Sequence, residues 1–402
     1  MNTRPHASMH ATQVMAALAV GTIAVLMVGI QPIVLGELVD ARRVSLEGVG
    51  IVAMAEIIML GLGVVLGDAL LPIARLRAVT IAAGLAAAGL DLLTLQAHGD
   101  GGLTAVRAAA GLAEGVLIWV ATGVVVRTPS PARVGGIFFV LQTLAQALLG
   151  AVLANAVIPR WGWAGSFVAL SLLALLACAL SFAQPARLAP LPPPSATGFR
   201  WSVRTVQPLA VVFLQLAALG SFWAYLEPLG KAAGFDARGA QTLVAVSLAM
   251  QVIGGSLATL AVRQLPVVLA LLGCSLTLAG VMGFIHQLPA GSTQNFAAAG
   301  AVFGFVWLFM LPFHIGLALR ADPSGRLAGL VPAAQLLGSA FGPLTASFIV
   351  QGENAGAVPL LSAGFASAAA VLALSLVRPA RLPWRRSPGR LRSTPPDRTD
   401  LN

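Results

Sequence analysis

Charge is scarce in this sequence. Only 9% of its 402 residues are Asp, Glu, Lys or Arg, where a soluble domain carries about 25%. A soluble fold is excluded, because 58% of the residues are hydrophobic and no single core could hide them. Cysteine is nearly missing: Cys178 and Cys274 both lie inside apolar runs, with neither disulfide-framework nor metal-ligand spacing. Lys231 is the only lysine, and the other basic residues are arginine. With the abundant alanine, that skew points to a GC-rich bacterial source. There is no phosphate-binding loop, no nucleotide-binding domain and no cluster of His, Asp or Cys at a membrane face. Enzyme chemistry is therefore not expected, and no cofactor is implied.

What the sequence has is apolar runs of spanning length. Each bilayer crossing takes about 20 apolar residues, and lipid solvates the outward faces. The pattern predicts an all-α membrane protein with about twelve transmembrane helices. These fall near 12–36, 50–72, 78–96, 103–126, 134–157, 163–183, 206–229, 239–261, 266–287, 294–319, 327–350 and 357–377. The first run is longer than a signal-peptide core and reads as a retained helix. Arginines gather on one side: Arg75, Arg77, Arg127, Arg133, Arg187, Arg200, Arg204, Arg263, Arg320, Arg326 and those of the tail. By the positive-inside rule this side is cytoplasmic, as are both termini. Glu37, Asp40, Glu47, Asp100, Glu227, Asp236 and Glu353 lie outside. The net charge of +10 is thus topological, and nucleic acid is not an expected partner. The lipid bilayer is, most of all for the basic tail.

Proline punctuates the middle. Pro185, Pro190, Pro192, Pro193 and Pro194 cannot continue a helix. The expected division is a six-helix bundle over 1–184, a cytoplasmic linker over 185–205, a second bundle over 206–377 and a basic tail over 378–402. The two halves repeat each other. Gly111, Arg127, Arg133, Gly136 and Gln142 match Gly304, Arg320, Arg326, Gly329 and Gln335 at one offset, 193 residues (320 − 127). Gly61 and Gly254 share it, and Gln31-Pro32 resembles Glu227-Pro228.

Two such repeats joined by a long cytoplasmic loop resemble the major facilitator superfamily. Local motifs add to the resemblance. The loop after the second helix carries Gly63, Gly67, Asp68, Arg75 and Arg77, a stretched form of the family's Gly-x-x-x-Asp-Arg-x-Gly-Arg-Arg. The fourth helix reads Arg107-x-x-x-Gly111-x-x-x-Gly115, as in proton-coupled exporters, whereas their fifth-helix Gly-x-x-x-Gly-Pro motif is missing. A similar Gly338-x-x-x-Gly342-Pro343 stands in the eleventh. The resemblance implies alternating access around a central site.

Ionisable groups inside a membrane are functional candidates by default. They are Glu56, Asp91, Arg107, Glu114 and His314. Arg107, Gly111 and Glu114 share one helix face. Asp91 and Arg107 lie at equal depth on either side of the turn near residue 100, so they are expected to pair. A substrate and proton pathway is expected from Glu114, Glu56, Arg107, Asp91, Trp119, Trp307, Gln142 and Tyr225. The repeat offset sets Trp307 opposite Glu114. His314 is expected to pack rather than to carry protons. Asp68, Arg75, Arg77, Asp322 and Arg326, at the cytoplasmic helix ends, are expected to latch the halves together. The expected activity is proton-coupled efflux of a small amphipathic molecule by a monomer. The alternatives are import or uniport of a sugar or organic acid and, from another class, a non-transporting membrane sensor.

Overall fold

The computed structural model describes residues 9–190, 202–322, 326–352 and 354–376. The proline-rich linker from 191 to 201 and the basic tail lie outside them.

The described residues form α-helices with no named strand. In chain order they are α1 (Ala11–Ala24), α2 (Leu26–Asp40), α3 (Leu46–Leu70), α4 (Leu76–Thr94), α5 (Gly99–Val125), α6 (Pro131–Val152) and α7 (Ile158–Leu180). After the linker come α8 (Val203–Ala224), α9 (Leu226–Ala232), α10 (Ala237–Ala261), α11 (Val267–His286), α12 (Thr293–Ala321), α13 (Arg326–Ser347) and α14 (Val358–Ser375). Polar caps set the starts. Ser45 accepts from the Gly48 N–H ahead of α3, and Asp236 from the Gly239 N–H ahead of α10, both at 2.9 Å.

Eleven segments are long and apolar enough to cross a membrane. Large apolar side chains such as Leu70, Leu260, Phe348 and Val371 point outward. That surface suits lipid, and the chain is a multi-pass membrane protein. The count differs from twelve for a local reason. One helical segment, Arg133–Ala183, runs for 51 residues, about 76 Å at the helical rise. A hydrocarbon core is only about 30 Å thick. Gly162, at φ 60° and ψ −160°, breaks the helical path inside it.

The first apolar run also departs from expectation, splitting into α1 and α2 at Val25. Pro32, inside α2, has no N–H to give the carbonyl of Val28. The indole N–H of Trp223, from the second half, takes that carbonyl instead at 3.1 Å.

Helix pairings in the first half recur in the second. α3 packs on α5 as α10 does on α12, and α4 on α7 as α11 does on α14. Between the halves, α3 meets α13 and α6 meets α10.

Candidate functional site

Glycine brings the candidate residues together. A Cβ on Gly111 would collide with the Glu56 carbonyl, and one on Gly115 with the Leu60 carbonyl. Their absence lets α5 lie against the backbone of α3. Arg107, one turn before Gly111, therefore enters the α3–α4–α5 interior and is fully buried.

Its guanidinium meets three carboxyl groups. Nη1 donates to Asp91 Oδ1 at 2.7 Å, and Nη2 pairs with Glu56 Oε1 and lies 3.3 Å from Glu114 Oε1. Gln31 of α2 donates through Nε2 to Glu56 Oε2 at 3.1 Å. Phe167 of α7 lies under the guanidinium at 5.6 Å. Asp91 and Arg107 thus face each other across the α4–α5 hairpin, as equal depth requires. Glu114 Oε2 and Arg107 Nε are buried without a hydrogen-bond partner. Three carboxyls against one guanidinium leave a fully ionised cluster two negative charges in excess. Burial disfavours such an excess.

Among the described residues, the second half carries no equivalent. Gly304 lies against the Ser247 carbonyl and Gly254 against that of Phe305, as Gly111 and Gly63 do on Glu56 and Leu112. The packing therefore pairs Gly254 with Gly63, not with the Gly61 that the 193-residue offset selects. α10 is displaced by two residues relative to α12. Ser247 then stands where Glu56 stands, and its hydroxyl bonds the Gly300 carbonyl at 3.3 Å. Trp307, at the position of Glu114, is half-buried and stacks edge-on against Trp223 at 5.2 Å and Phe303 at 5.7 Å.

The remaining sequence candidates do not join the Arg107 cluster. Trp119 is buried in an apolar group with Ala17, Leu76 and Leu188, and its indole donates to Asp68 Oδ1 at 3.3 Å. Gln142 is half-buried on α6; one turn on, Gln146 donates to the Val25 carbonyl at 2.6 Å. Tyr225 is fully buried, and its hydroxyl accepts from the Gly50 N–H of the other half at 3.1 Å.

The residues expected to form a latch have the following described contacts. Arg77 donates to the Gln184 carbonyl at 3.0 and 3.2 Å, inside the first half. Asp68 holds Trp119 of its own half, and Arg75 is exposed. Asp322 Oδ2 accepts from the Leu327 N–H at 3.0 Å at the start of α13. The side chain of Arg326 is outside the described residues. Among the described residues, several polar contacts between the halves lie at the opposite end: Glu47 with the Gly352 N–H at 2.6 Å, Lys231 with Asp40, and Gln241 with Glu37.

Two residues named in the sequence reading have partners it did not foresee. Gln31 stands out there only as part of a repeat, although a lone amide in an apolar run is itself a signal. His314 is fully buried in a chain of amides. Gln215 donates to the Leu271 carbonyl and Ser275, which turns its Oε1 to His314 Nε2 at 2.8 Å. Gln335 Nε2 then lies 3.1 Å from Nδ1. The imidazole is held as the Nε2–H tautomer.

Solved structures share this architecture. A variant of the nucleoside transporter NupG superposes with a TM-score of 0.66 at 11% identity, over 91% of this chain and 100% of that one. A D-xylose–proton symporter gives 0.65 at 14%, over 91% and 98%. The chain has the major facilitator fold. The xylose transporter XylE from E. coli, in a partially occluded inward-open conformation, gives 0.64 at 13%, over 91% and 100%. No protein-family profile and no curated protein matches the chain.

Proposed function

We propose that this chain is a proton-coupled secondary transporter of the major facilitator superfamily. It acts in a bacterial inner membrane as a monomer, with both termini cytoplasmic. Twelve spans form six-helix bundles over 1–184 and 206–377, the long α6–α7 segment counting as two spans turned at Gly162. The carrying observation is the cluster of Arg107 with Glu56, Asp91 and Glu114 in one half only. A buried group of three carboxyls and one guanidinium takes up a proton when sealed and releases it when water reaches it. Glu114, with its free Oε2, is the coupling carboxyl and Glu56 the second. Arg107 and Asp91 hold them in place. The second half offers Trp307, Tyr225 and their aromatic neighbours to a small amphipathic substrate, with Trp119 and Gln142 toward the pathway's cytoplasmic end.

Efflux is the favoured direction, because Arg107, Gly111 and Gly115 form the packed face that the exporter-type motif describes. Import is the second reading, favoured by the similarity to a nucleoside transporter and a xylose–proton symporter. Asp68, Arg75, Arg77, Asp322 and Arg326 are proposed to latch the cytoplasmic ends in the opposite access state.

Reconstituted protein tests the reading. A compound panel is screened by counterflow, and Glu114→Gln is then assayed for counterflow and for pH-gradient-driven transport. Counterflow is expected to persist and gradient-driven transport to disappear. Unaltered gradient-driven transport refutes Glu114 as the coupling group. The sign of accumulation under an inward proton gradient separates efflux from import.

A further inference from the structure

The end of the molecule that carries the α2–α3 turn holds a second ionic cluster, which proton coupling at Arg107 does not use. α2 contributes Glu37 and Asp40, and α9 contributes Glu227 and Lys231. The Lys231 ammonium pairs with Asp40 Oδ2 and lies 2.6 Å from Glu227 Oε1. Gln241 of α10 donates to Glu37 Oε1. One oxygen from each of Glu37, Asp40 and Glu227 lies within 4.8 Å of the others. Two carboxylates thus meet the ammonium, and the third stands beside them.

Glu227 is the informative member. It is fully buried, and its Oε2 has no hydrogen-bond partner. The carboxylate rests on Gly36, where any Cβ would collide with it. It also lines a cavity of about 760 Å³, together with Asp40, Lys231, Glu47 and Asp100. Buried polar atoms normally find partners, and a buried carboxylate oxygen left without a donor calls for a cation.

The donor set specifies which cation. All three ligands are carboxylates, with no imidazole or thiolate, so the site is hard. Oxygens that share one Mg²⁺ or Ca²⁺ stand no more than about 4 to 5 Å apart, a limit these three meet. The cavity leaves room for the water ligands that both ions keep. The Lys231 side chain is 24% exposed and ends a flexible stem, so it can withdraw into that space.

We propose that Glu37, Asp40 and Glu227 form a divalent-cation site at the outer mouth of the protein. The Lys231 ammonium fills it in the present state, and Mg²⁺ or Ca²⁺ fills it when Lys231 swings out. The ion ties α2 of the first half to α9 of the second and so favours closure of this end. The site rests on its own geometry; only its outer location depends on the orientation proposed above.

Mn²⁺ serves as the probe, titrated into the purified full chain and followed by the electron paramagnetic resonance of the free ion. Removing the competing ammonium with Lys231→Met is expected to tighten Mn²⁺ binding by at least about tenfold. Mg²⁺ and Ca²⁺ are expected to displace the bound Mn²⁺. Glu227→Gln in the Lys231→Met background is expected to abolish binding. Asp40 is half-exposed, so Asp40→Asn supplies a variant less prone to misfold, with the same expected loss. Unchanged affinity in Lys231→Met overturns the proposal, as does Mn²⁺ binding that survives both carboxylate replacements. Thermal unfolding of each variant separates loss of a ligand from loss of the fold.

Discussion

Arg107 is the residue on which the candidate site turns. A guanidinium with no exposed surface is tolerated only because Asp91, Glu56 and Glu114 surround it. Removing it strands three carboxyls in the interior. Arg107→Met is therefore expected to destabilise the protein by about 3–5 kcal/mol, read as a lowered thermal midpoint in detergent. Adding Glu56→Gln and Asp91→Asn to Arg107→Met is expected to recover part of the loss, since neutral partners need no counter-charge. No recovery would mean that Arg107 acts through packing on Phe167 rather than through charge.

At the scale of the helix, glycine decides how closely elements approach. Gly115 and Gly304 each face a neighbouring carbonyl across the α3–α5 and α10–α12 contacts. Gly115→Leu and Gly304→Leu are each expected to cost about 1–3 kcal/mol through overpacking. Gly89, on α4, has nothing within 4 Å of an added Cβ, so Gly89→Leu is expected to leave the melting temperature in place and serves as the control. A proline acts at the same scale. Pro32 frees the Val28 carbonyl, and Trp223 takes it. Trp223→Phe leaves that carbonyl unpaired and is expected to cost about 1–3 kcal/mol, measured by the same melts. Adding Pro32→Ala in that background is expected to reduce the loss, because an alanine at this position supplies the missing N–H.

At the scale of the molecule, polar contacts between the halves gather, among the described residues, at the end that carries Glu47, Tyr225 and Lys231. Gly50 sits at the centre of that seam. A Cβ there would collide with the Pro343 carbonyl and approach the Tyr225 hydroxyl at 2.7 Å. Gly50→Leu is expected to part the halves at this end. Spin labels at Ala41→Cys and Gln351→Cys report it as a longer distance distribution. An unchanged distribution would show that the seam yields elsewhere and that closure does not depend on α3 meeting α13.

Much of this protein was legible before folding, for a physical reason. Bilayer thickness and the poor solubility of charge in lipid act on residue composition, so the spanning segments and the scarce internal charges stand out in one dimension. The Asp91–Arg107 pair was legible because a short turn sets two facing helices in register, and depth then follows from residue count. Most of the candidate cluster was visible for the same reason, but Gln31 was not, because it arrives from α2 through packing. Tertiary packing alone decided the rest. The two-residue displacement of α10 against α12 depends on which carbonyl each glycine meets. Asp68 and Arg77 look inward to Trp119 and Gln184, not across to the other half, because exposed ends have several partners within reach and sequence does not rank them. The meeting of Glu37 and Asp40 with Glu227 and Lys231 joins positions almost two hundred residues apart. Only the docking of one half on the other brings them together.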